Sequence, residues 1–261
     1  DDTDRPLIKS NGDWTYFASD VAYHLDKLER TNGNLINIFG ADHGGYVKRM
    51  TAAVTALSGL KNTLNIKLCQ LVNLLDNGQP VKMSKRAGTF ITIKDVIDAV
   101  GADVIRFIML TRRNDQTLDF DFTRVTEQSR DNPVFYVQYA HARACSVIRQ
   151  FGTDKLSANT ARLDVLTDPA ELALVKMIVS WPKVVESAAT AHEPHRIAFY
   201  LVELAGAFHS LWNAGRKNPN LRFIAGHDDE ITTARMALVK ATSIVVRIGL
   251  NVLSIEALEE M

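Results

Sequence analysis

The hydrophobic period of this chain changes near Asp119, and that change restricts the folds open to it more than any single motif. Before it, short apolar runs of strand length alternate with helical patterns. After it, long helical patterns succeed one another and strand signals vanish. Short strands interleaved with helices mark an α/β layer, whereas successive amphipathic helices joined by loops mark a bundle. A chain of 261 residues with 46% hydrophobic content can bury two cores. The expected architecture is therefore an α/β part over residues 1–122 followed by an all-α helical bundle over residues 123–261.

Local signals give this division detail. Leu35 to Phe39 is an apolar run between Asn-Gly and Gly40, and reads as a strand. Helical spacing follows from Tyr46 to Ser58, with Val47, Met50, Val54 and Leu57 on one face. Leu64, Ile66 and Leu68 alternate as in a second strand, which continues towards Leu75 and ends in the turn Asp76-Asn77-Gly78-Gln79. Asp95–Ala99 and Asp103–Thr111 read as short helices separated by Gly101. Asn132-Pro133 starts a long helix to about Phe151, with Asn as N-cap and Pro in the first turn. Asp168-Pro169-Ala170-Glu171 starts another in the manner of a capping box, and Pro182 is expected to kink or break it. Pro194 opens a third helix to about Ala214, and Asp228 a fourth that ends near Gly249.

Composition removes several function classes. Lys+Arg and Asp+Glu both number 30, so no global field draws the chain to nucleic acid, and any such binding must rest on local patches. One such patch is Val81 to Arg113, where Lys and Arg outnumber Asp. Cys69 and Cys145 are too few and too far apart for a disulfide framework or a zinc site, and are expected to be buried, reduced thiols. No apolar run approaches the length of a membrane span. The polar N-terminus is not a signal peptide and reads as starting inside a domain.

Three segments carry chemistry. Lys82-Met83-Ser84-Lys85-Arg86 follows the turn beside the α/β layer, and two lysines with a hydroxyl in a mobile loop suit the phosphates of a nucleotide whose pyrophosphate departs. Phe39-Gly40-Ala41-Asp42-His43-Gly44-Gly45-Tyr46 lies where a strand ends and a helix begins, the place where α/β sheets bind ligands. Its glycines admit close approach, the helix N-terminus favours anions, and His43 can hydrogen-bond. Tyr16 and Asp20 are four residues apart and share a helix face, where a phenol beside a carboxylate suits a guanidinium. His192-Glu193-Pro194-His195 has metal-like spacing, but Pro194 makes it a helix start. Trp181 and Trp212 sit in apolar helices and are read as core, and His209, on an amphipathic helix, as a satisfied core or rim histidine.

Taken in order, YFASDVAY, GADHGGYVKR, VKMSKRAG and DNPVFYVQYAHAR resemble the bacterial-type arginyl-tRNA synthetases, with KMSK similar to the class I loop. The resemblance covers nearly the whole chain. It implies the C-terminal portion of such an enzyme: half of a partial Rossmann-like catalytic domain, then a helical anticodon-binding domain. In the whole enzyme it implies ATP-dependent attachment of L-arginine to tRNA-Arg through an arginyl-adenylate, with Mg2+ accompanying ATP.

By this resemblance Tyr16, Asp20 and His43 contact arginine, with Asp20 on its guanidinium. Gly40, Asp42, His43, Met83, Ser84 and Lys85 face ATP, and Lys82 and Lys85 are the catalytic lysines. Arg86, Tyr139, Arg143 and Met261 meet tRNA, Tyr139 by stacking on a base and Arg143 by reaching phosphate. Asp103-Val104-Ile105-Arg106 is similar to the family's Asp-Ala-Leu-Arg string. A cytoplasmic monomer is implied. A His-x-Gly-His string is absent from residues 1–261, so the chain alone is expected to be inactive; the alternative reading is a non-catalytic tRNA-binding module.

Overall fold

The computed structural model describes residues 4–31, 33–81, 91–127, 132–152, 161–226 and 229–261. The chain packs as two units, Asp1–Asn73 with Asn114–Leu118, and Leu74–Arg113 with Asp119–Met261.

In the first unit, α1 (Tyr16–Arg30) begins where the Thr15 side chain accepts from the Ala18 N–H. Strand β1 (Leu35–Gly40) leads through a 3-10 turn (Ala41–Tyr46) into α2 (Val47–Ser58) and returns in β2 (Leu64–Cys69). The two strands are parallel, with Leu35 opposite Leu64 and Gly40 opposite Cys69. Helix α2 is the crossover that a parallel pair requires. It ends at Gly59, whose φ of +68° lets its N–H return to Thr55 O. Leu35, Met50, Val54 and Leu64 form the core, sealed by Phe17, Leu28, Phe39, Tyr46 and Ile66. Met50 and Val54 were legible from helical spacing; Phe17 and Leu28, from α1, cover the same core.

A polar chain fastens α1 to β1. The His24 Nδ1–H donates to Asp20 O at 2.7 Å, Asn37 Nδ2 donates to His24 Nε2 at 2.7 Å, and Lys27 Nζ donates to Asn37 Oδ1 at 3.0 Å. The carbonyl can only accept, so Nδ1 carries the hydrogen of that bond. His24 and Asn37 are both buried, and satisfied polar pairs of this kind fix one packing arrangement.

The second unit opens with a small sheet in the order β4-β3-β5, from β3 (Val72–Asp76), β4 (Gln79–Pro80) and β5 (Leu118–Asp121). The division between units falls inside β3 and at the first residue of β5. The sequence suggested one strand from Leu64 towards Leu75, but the chain leaves β2 at Cys69 and restarts at Val72. Asn77 (φ 50°) and Gly78 (φ 75°) make the hairpin turn in the left-handed region that Asn-Gly favours.

Helices α3 (Ile93–Val100) and α4 (Ala102–Met109) meet at Gly101, whose φ is +86°. Helix α3 starts two residues before the expected Asp95, because Thr92 and Asp95 form a capping box. Then come α5 (Phe122–Thr126), α6 (Pro133–Phe151), α7 (Pro169–Ala191), α8 (His195–Lys217) and α9 (Asp229–Val252). The expected caps Asn132 and Asp168 are both in place, the latter with Glu171 closing its box. Asp228 lies outside the described residues.

Pro182 does not break α7, which runs continuously from Pro169 to Ala191. Proline removes one N–H from the helix ladder, the one that would reach Ile178 O, and the ladder continues on both sides of that single gap. Residues 74–113 belong with the bundle because Phe107 of α4 is fully buried in the helical core, with Val104 and Leu110 packed on it. The core proper comes from α6, α7, α8 and α9, including Val137, Leu174, Leu201, Leu204, Phe208, Met236 and Val246. Cys69 and Cys145 are free thiols, and both are only partly buried where buried thiols were expected.

Candidate functional site

In the first unit, α1, the end of β1 and the 3-10 turn enclose a cleft of about 780 Å3 lined by Tyr16, Phe17, Asp20, Phe39, His43, Tyr46 and Arg49, among others. Asp20 faces it from α1. The phenol that meets this carboxylate is Tyr46, which donates to Asp20 Oδ2 at 2.6 Å, and not Tyr16, which is 90% exposed at the start of the helix. Burial first, and the Asp20 carboxylate second, push the Tyr46 phenol well above its ordinary pKa, so it remains a donor at neutral pH. Tyr46 is itself packed edge-on to Phe17 and lies under the Arg49 guanidinium at 5.3 Å.

This arrangement holds a carboxylate in one orientation on an aromatic floor, which suits a cationic ligand with planar donors. His43 stands across the cleft, largely exposed, with its ring 5.9 Å from Phe39 and its Nε2 3.6 Å from Asp42 Oδ2. A Cβ at Gly40 would meet Asp42 Oδ1 at 2.5 Å, so a side chain there would displace the Asp42 carboxylate. Tyr46 was missed by sequence reasoning, although it stood in the quoted GADHGGY segment. Lys82, Met83, Ser84, Lys85 and Arg86 lie outside the described residues.

In the second unit, α6 and α8 build a platform of rings around one guanidinium. Arg143 lies 4.3 Å from the Tyr139 ring centroid and 4.7 Å from that of Trp212. Its Nη2 donates to Tyr139 OH at 2.6 Å and its Nη1 to His209 Nδ1 at 3.0 Å. Arginine cannot accept, so His209 Nδ1 is the acceptor and Nε2–H points to Tyr136 O at 3.3 Å. His209 therefore sits neutral in the core, stacked near-parallel to Tyr139 at 5.7 Å. Tyr139 also stacks on Phe135 at 6.0 Å. Tyr139 and Arg143, predicted together, are together. Trp212 was read as core and His209 as core or rim. His209 is buried as expected, but Trp212 is only partly buried and serves the platform. Exposed rings beside a fixed guanidinium are the means by which proteins take up unstacked bases and their phosphates.

The chain end is clasped nearby. His141 Nδ1 donates to Leu258 O at 2.9 Å, Gln138 Nε2 to Glu256 O at 3.2 Å, and Arg149 pairs with Glu260 at 3.4 Å. From α4, Asp103 Oδ2 accepts from the Glu256 N–H and Arg106 Nη1 donates to Ser254 O, both at 3.1 Å. The Asp103-Val104-Ile105-Arg106 string thus uses its two charged residues to hold residues 254–256, while Ile105 is buried beneath. All these bonds but the Arg149–Glu260 pair reach tail backbone atoms, so sequence periodicity gave no sign of them. Met261 ends this segment and is 53% exposed. Around His192 the suspected metal spacing is a helix junction: His192 ends α7 with φ 51°, and Glu193 pairs with Arg196 at the start of α8.

Residues 137–261 match the family described as the DALR anticodon binding domain. The whole chain is 59% identical to an arginine--tRNA ligase of Rhodospirillum rubrum, covering 45% of that protein, and 56% identical to one of Roseobacter denitrificans, covering 46%. Among solved structures it superposes on a Campylobacter jejuni protein assigned as an arginyl-tRNA synthetase with a TM-score of 0.87 at 34% identity, covering all of this chain and 55% of that one. The arginyl-tRNA synthetase of Thermus thermophilus shares the fold, with a TM-score of 0.75 at 22% identity, over 98% of this chain and 50% of that one. The chain spans about half the length of the relatives it matches. With identity this high along its entire length, the chain belongs to the arginyl-tRNA synthetase family.

Proposed function

We propose that this chain supplies part of the arginine and ATP site, together with the anticodon-reading domain, of an arginine--tRNA ligase. The observation that carries the reading is the Asp20 carboxylate, held by Tyr46 at 2.6 Å on the aromatic floor of a cleft large enough for a small substrate. The pairing of that cleft with a bundle matched to an anticodon-binding family supports it. In this reading Asp20 takes the arginine guanidinium, with Tyr16 and His43 at the rim. The β1–α2–β2 segment is part of a Rossmann-like half, and Gly40 and Asp42 at the end of β1 border ATP.

The reaction joins two displacements. An oxygen of the arginine carboxylate attacks the α-phosphorus of ATP, forming arginyl-adenylate as pyrophosphate leaves. A hydroxyl of the terminal tRNA ribose then attacks the acyl carbon and AMP departs. No covalent enzyme intermediate is needed, so catalysis rests on positioning and on charge stabilisation. Mg2+ belongs to this scheme as the partner of the ATP phosphates. Lys82 and Lys85, with Met83 and Ser84 between them, are assigned to the phosphates, and Arg86, Tyr139, Arg143 and Met261 to tRNA. The protein acts as a cytoplasmic monomer, and the isolated chain does not activate arginine. Among the described residues no helix is long and apolar enough to cross a membrane.

Two measurements test this. The chain alone should show no arginine-dependent exchange of pyrophosphate into ATP, and the longer protein should lose most of its affinity for arginine on Asp20→Asn. An unchanged KM for arginine would remove Asp20 from the site. At one fixed salt concentration the chain should bind a tRNA-Arg transcript more tightly than the same transcript with its central anticodon base changed. Equal binding would remove the anticodon assignment. Anticodon discrimination by a longer protein that cannot activate arginine would leave the non-catalytic module as the better reading.

A further inference from the structure

Asp20 reaches its cleft from α1, and most of what fastens that helix has no preferred direction. Phe17 and Leu28 pack on the core of Leu35, Met50, Val54 and Leu64, and apolar contacts of this kind resist separation more than rotation or sliding. Directional ties come from the segment Leu35–Tyr46. Tyr46 OH donates to the Asp20 carboxylate at 2.6 Å. His24 Nδ1–H donates to the Asp20 carbonyl at 2.7 Å, and Asn37 Nδ2 holds His24 Nε2 at 2.7 Å. The side chain of Asp20 is therefore fixed from the turn after β1, and its backbone, through His24, from the middle of β1.

Lys27 sets the sense of this relay. Its ammonium can only donate, and it stands 3.0 Å from Asn37 Oδ1, so the amide turns its oxygen to Lys27 and leaves its nitrogen for the imidazole. The same ammonium lies 4.6 Å from the centroid of the Tyr23 ring, which holds it in place. His24 and Asn37 are 4% and 5% exposed, so neither can replace a lost partner with bulk water. Both residues line the cleft, yet both ring nitrogens and the amide oxygen are already engaged. The relay can thus reach a ligand only through the residue that it holds.

Orientation matters because of what Asp20 is asked to do. Each carboxylate oxygen has two lone pairs, so Oδ2 can accept from Tyr46 and still serve a ligand. A planar guanidinium gains its bidentate contact only when the carboxylate lies in its plane, and holding that plane in advance lowers the cost of binding. We propose that Lys27, Asn37 and His24 are positioning residues for arginine, which lock α1 so that the Asp20 carboxylate keeps the orientation its guanidinium requires. The proposal rests on the reading of this cleft as the arginine site.

Arginine-dependent pyrophosphate exchange by the longer protein gives kcat and separate KM values for arginine and for ATP. Asn37→Leu should raise KM for arginine about fivefold, the scale of one neutral hydrogen bond, and leave kcat and KM for ATP unchanged. A merely structural role would shift both KM values together. Tyr46→Phe cuts the other tie and should cost about tenfold in kcat/KM for arginine. Independent effects would multiply to about fiftyfold in the double variant. Because the carboxylate is free to turn once either tie is cut, the double variant should instead stay near the loss of Tyr46→Phe alone. Lys27→Met removes the orienting charge from a half-buried position and should also raise KM for arginine, while Lys27→Arg, which keeps a donor, should restore it. This pair carries the test if Asn37→Leu lowers the helical circular dichroism signal. A full product in the double variant, equal shifts in the two KM values, or identical kinetics for Lys27→Met and the unsubstituted protein would overturn the proposal. Asp20→Asn separates the two possible failures. An unchanged KM for arginine in that variant fails the reading of the cleft, whereas a raised one beside unchanged Asn37→Leu and Lys27→Met values fails the relay alone.

Discussion

Replacing Arg235 with methionine should destabilise the bundle more than any surface substitution in it. Arg235 and Glu171 are 4% and 1% exposed, and Arg235 Nε donates to Glu171 Oε1 at 2.6 Å. The pair is tied at both ends: Glu171 Oε2 accepts from the Asp168 N–H at 3.1 Å, and Arg235 Nη1 donates to Arg222 O at 2.9 Å. Arg235→Met leaves a buried carboxylate facing one backbone N–H and a carbonyl without its donor. Removing one partner of a buried pair costs about 3–5 kcal/mol. Replacing both charges by Glu171→Gln with Arg235→Met keeps an acceptor for Asp168 N and removes the stranded charge. What then remains is chiefly the lost bond to Arg222 O, about 1–2 kcal/mol. The double variant should therefore be more stable than Arg235→Met alone by about 2 kcal/mol. Urea unfolding followed by far-UV circular dichroism, which the long helices dominate, measures all three. A single-variant loss under about 1 kcal/mol, or a double variant no more stable than Arg235→Met, would refute the claim that desolvated charge governs this site.

Three further outcomes follow from named bonds. Tyr46→Phe keeps the ring packing but frees Asp20; kcat/KM for arginine in the longer protein should fall about tenfold, the scale of one hydrogen bond to a charged group, and unchanged exchange kinetics would count against Tyr46 as a positioning residue. His141→Ala should loosen the chain end and weaken discrimination between the native and altered anticodons, whereas His141→Asn, which keeps a donor near Nδ1, should restore it in the same binding assay. Burial alone would raise the Asp121 pKa, but the N–H groups of Gly78, Arg124 and Thr123, with the Arg124 charge, hold it below the ordinary value. The folded pKa is depressed, so this stabilisation is full above about pH 4 and is lost as pH falls through the folded value. Asp121→Asn, still an acceptable N-cap, should flatten the fall in urea midpoint below pH 4; parallel profiles would refute it.

What could be read from the sequence was what depends on neighbours along the chain. The Asn77-Gly78 turn, the Asn132 and Asp168 caps and the strand–helix–strand order of residues 35–69 each rest on contacts a few residues apart. What the sequence left hidden shares a cause. Pro182 was expected to kink or break α7 because the rule considers one helix, yet α7 runs on through it, packed against α8 through Trp181 and Tyr200. The 122/123 boundary followed a change of period, while the core follows Phe107, whose neighbours lie far along the chain. Glu171 shows both sides in one residue: its role in the box with Asp168 was legible, and its bond to Arg235, 64 positions away, was not.

The same reasoning explains why the platform was only half visible. Tyr139 and Arg143 are one helical turn apart, so their pairing can be read from spacing. An aromatic residue and an arginine at that spacing also occur on ordinary solvated helices, and only the partners on α8 make this pair distinctive. His209 accepts from Arg143 with the nitrogen that is free because the other donates to Tyr136 O. Trp212 then closes the far side of the guanidinium at 4.7 Å. An arginine held this way does not need to be ordered when a ligand arrives, which lowers the entropic cost of each contact it makes. His209→Phe keeps a ring in the stack but removes the acceptor, while His209→Asn puts an oxygen close to the Nδ1 position. If preorganisation is what His209 supplies, the phenylalanine variant should lose affinity for the native transcript several-fold through faster dissociation, and the asparagine variant should recover most of it. If both variants lose affinity equally, the ring of His209 matters for packing and not for holding Arg143.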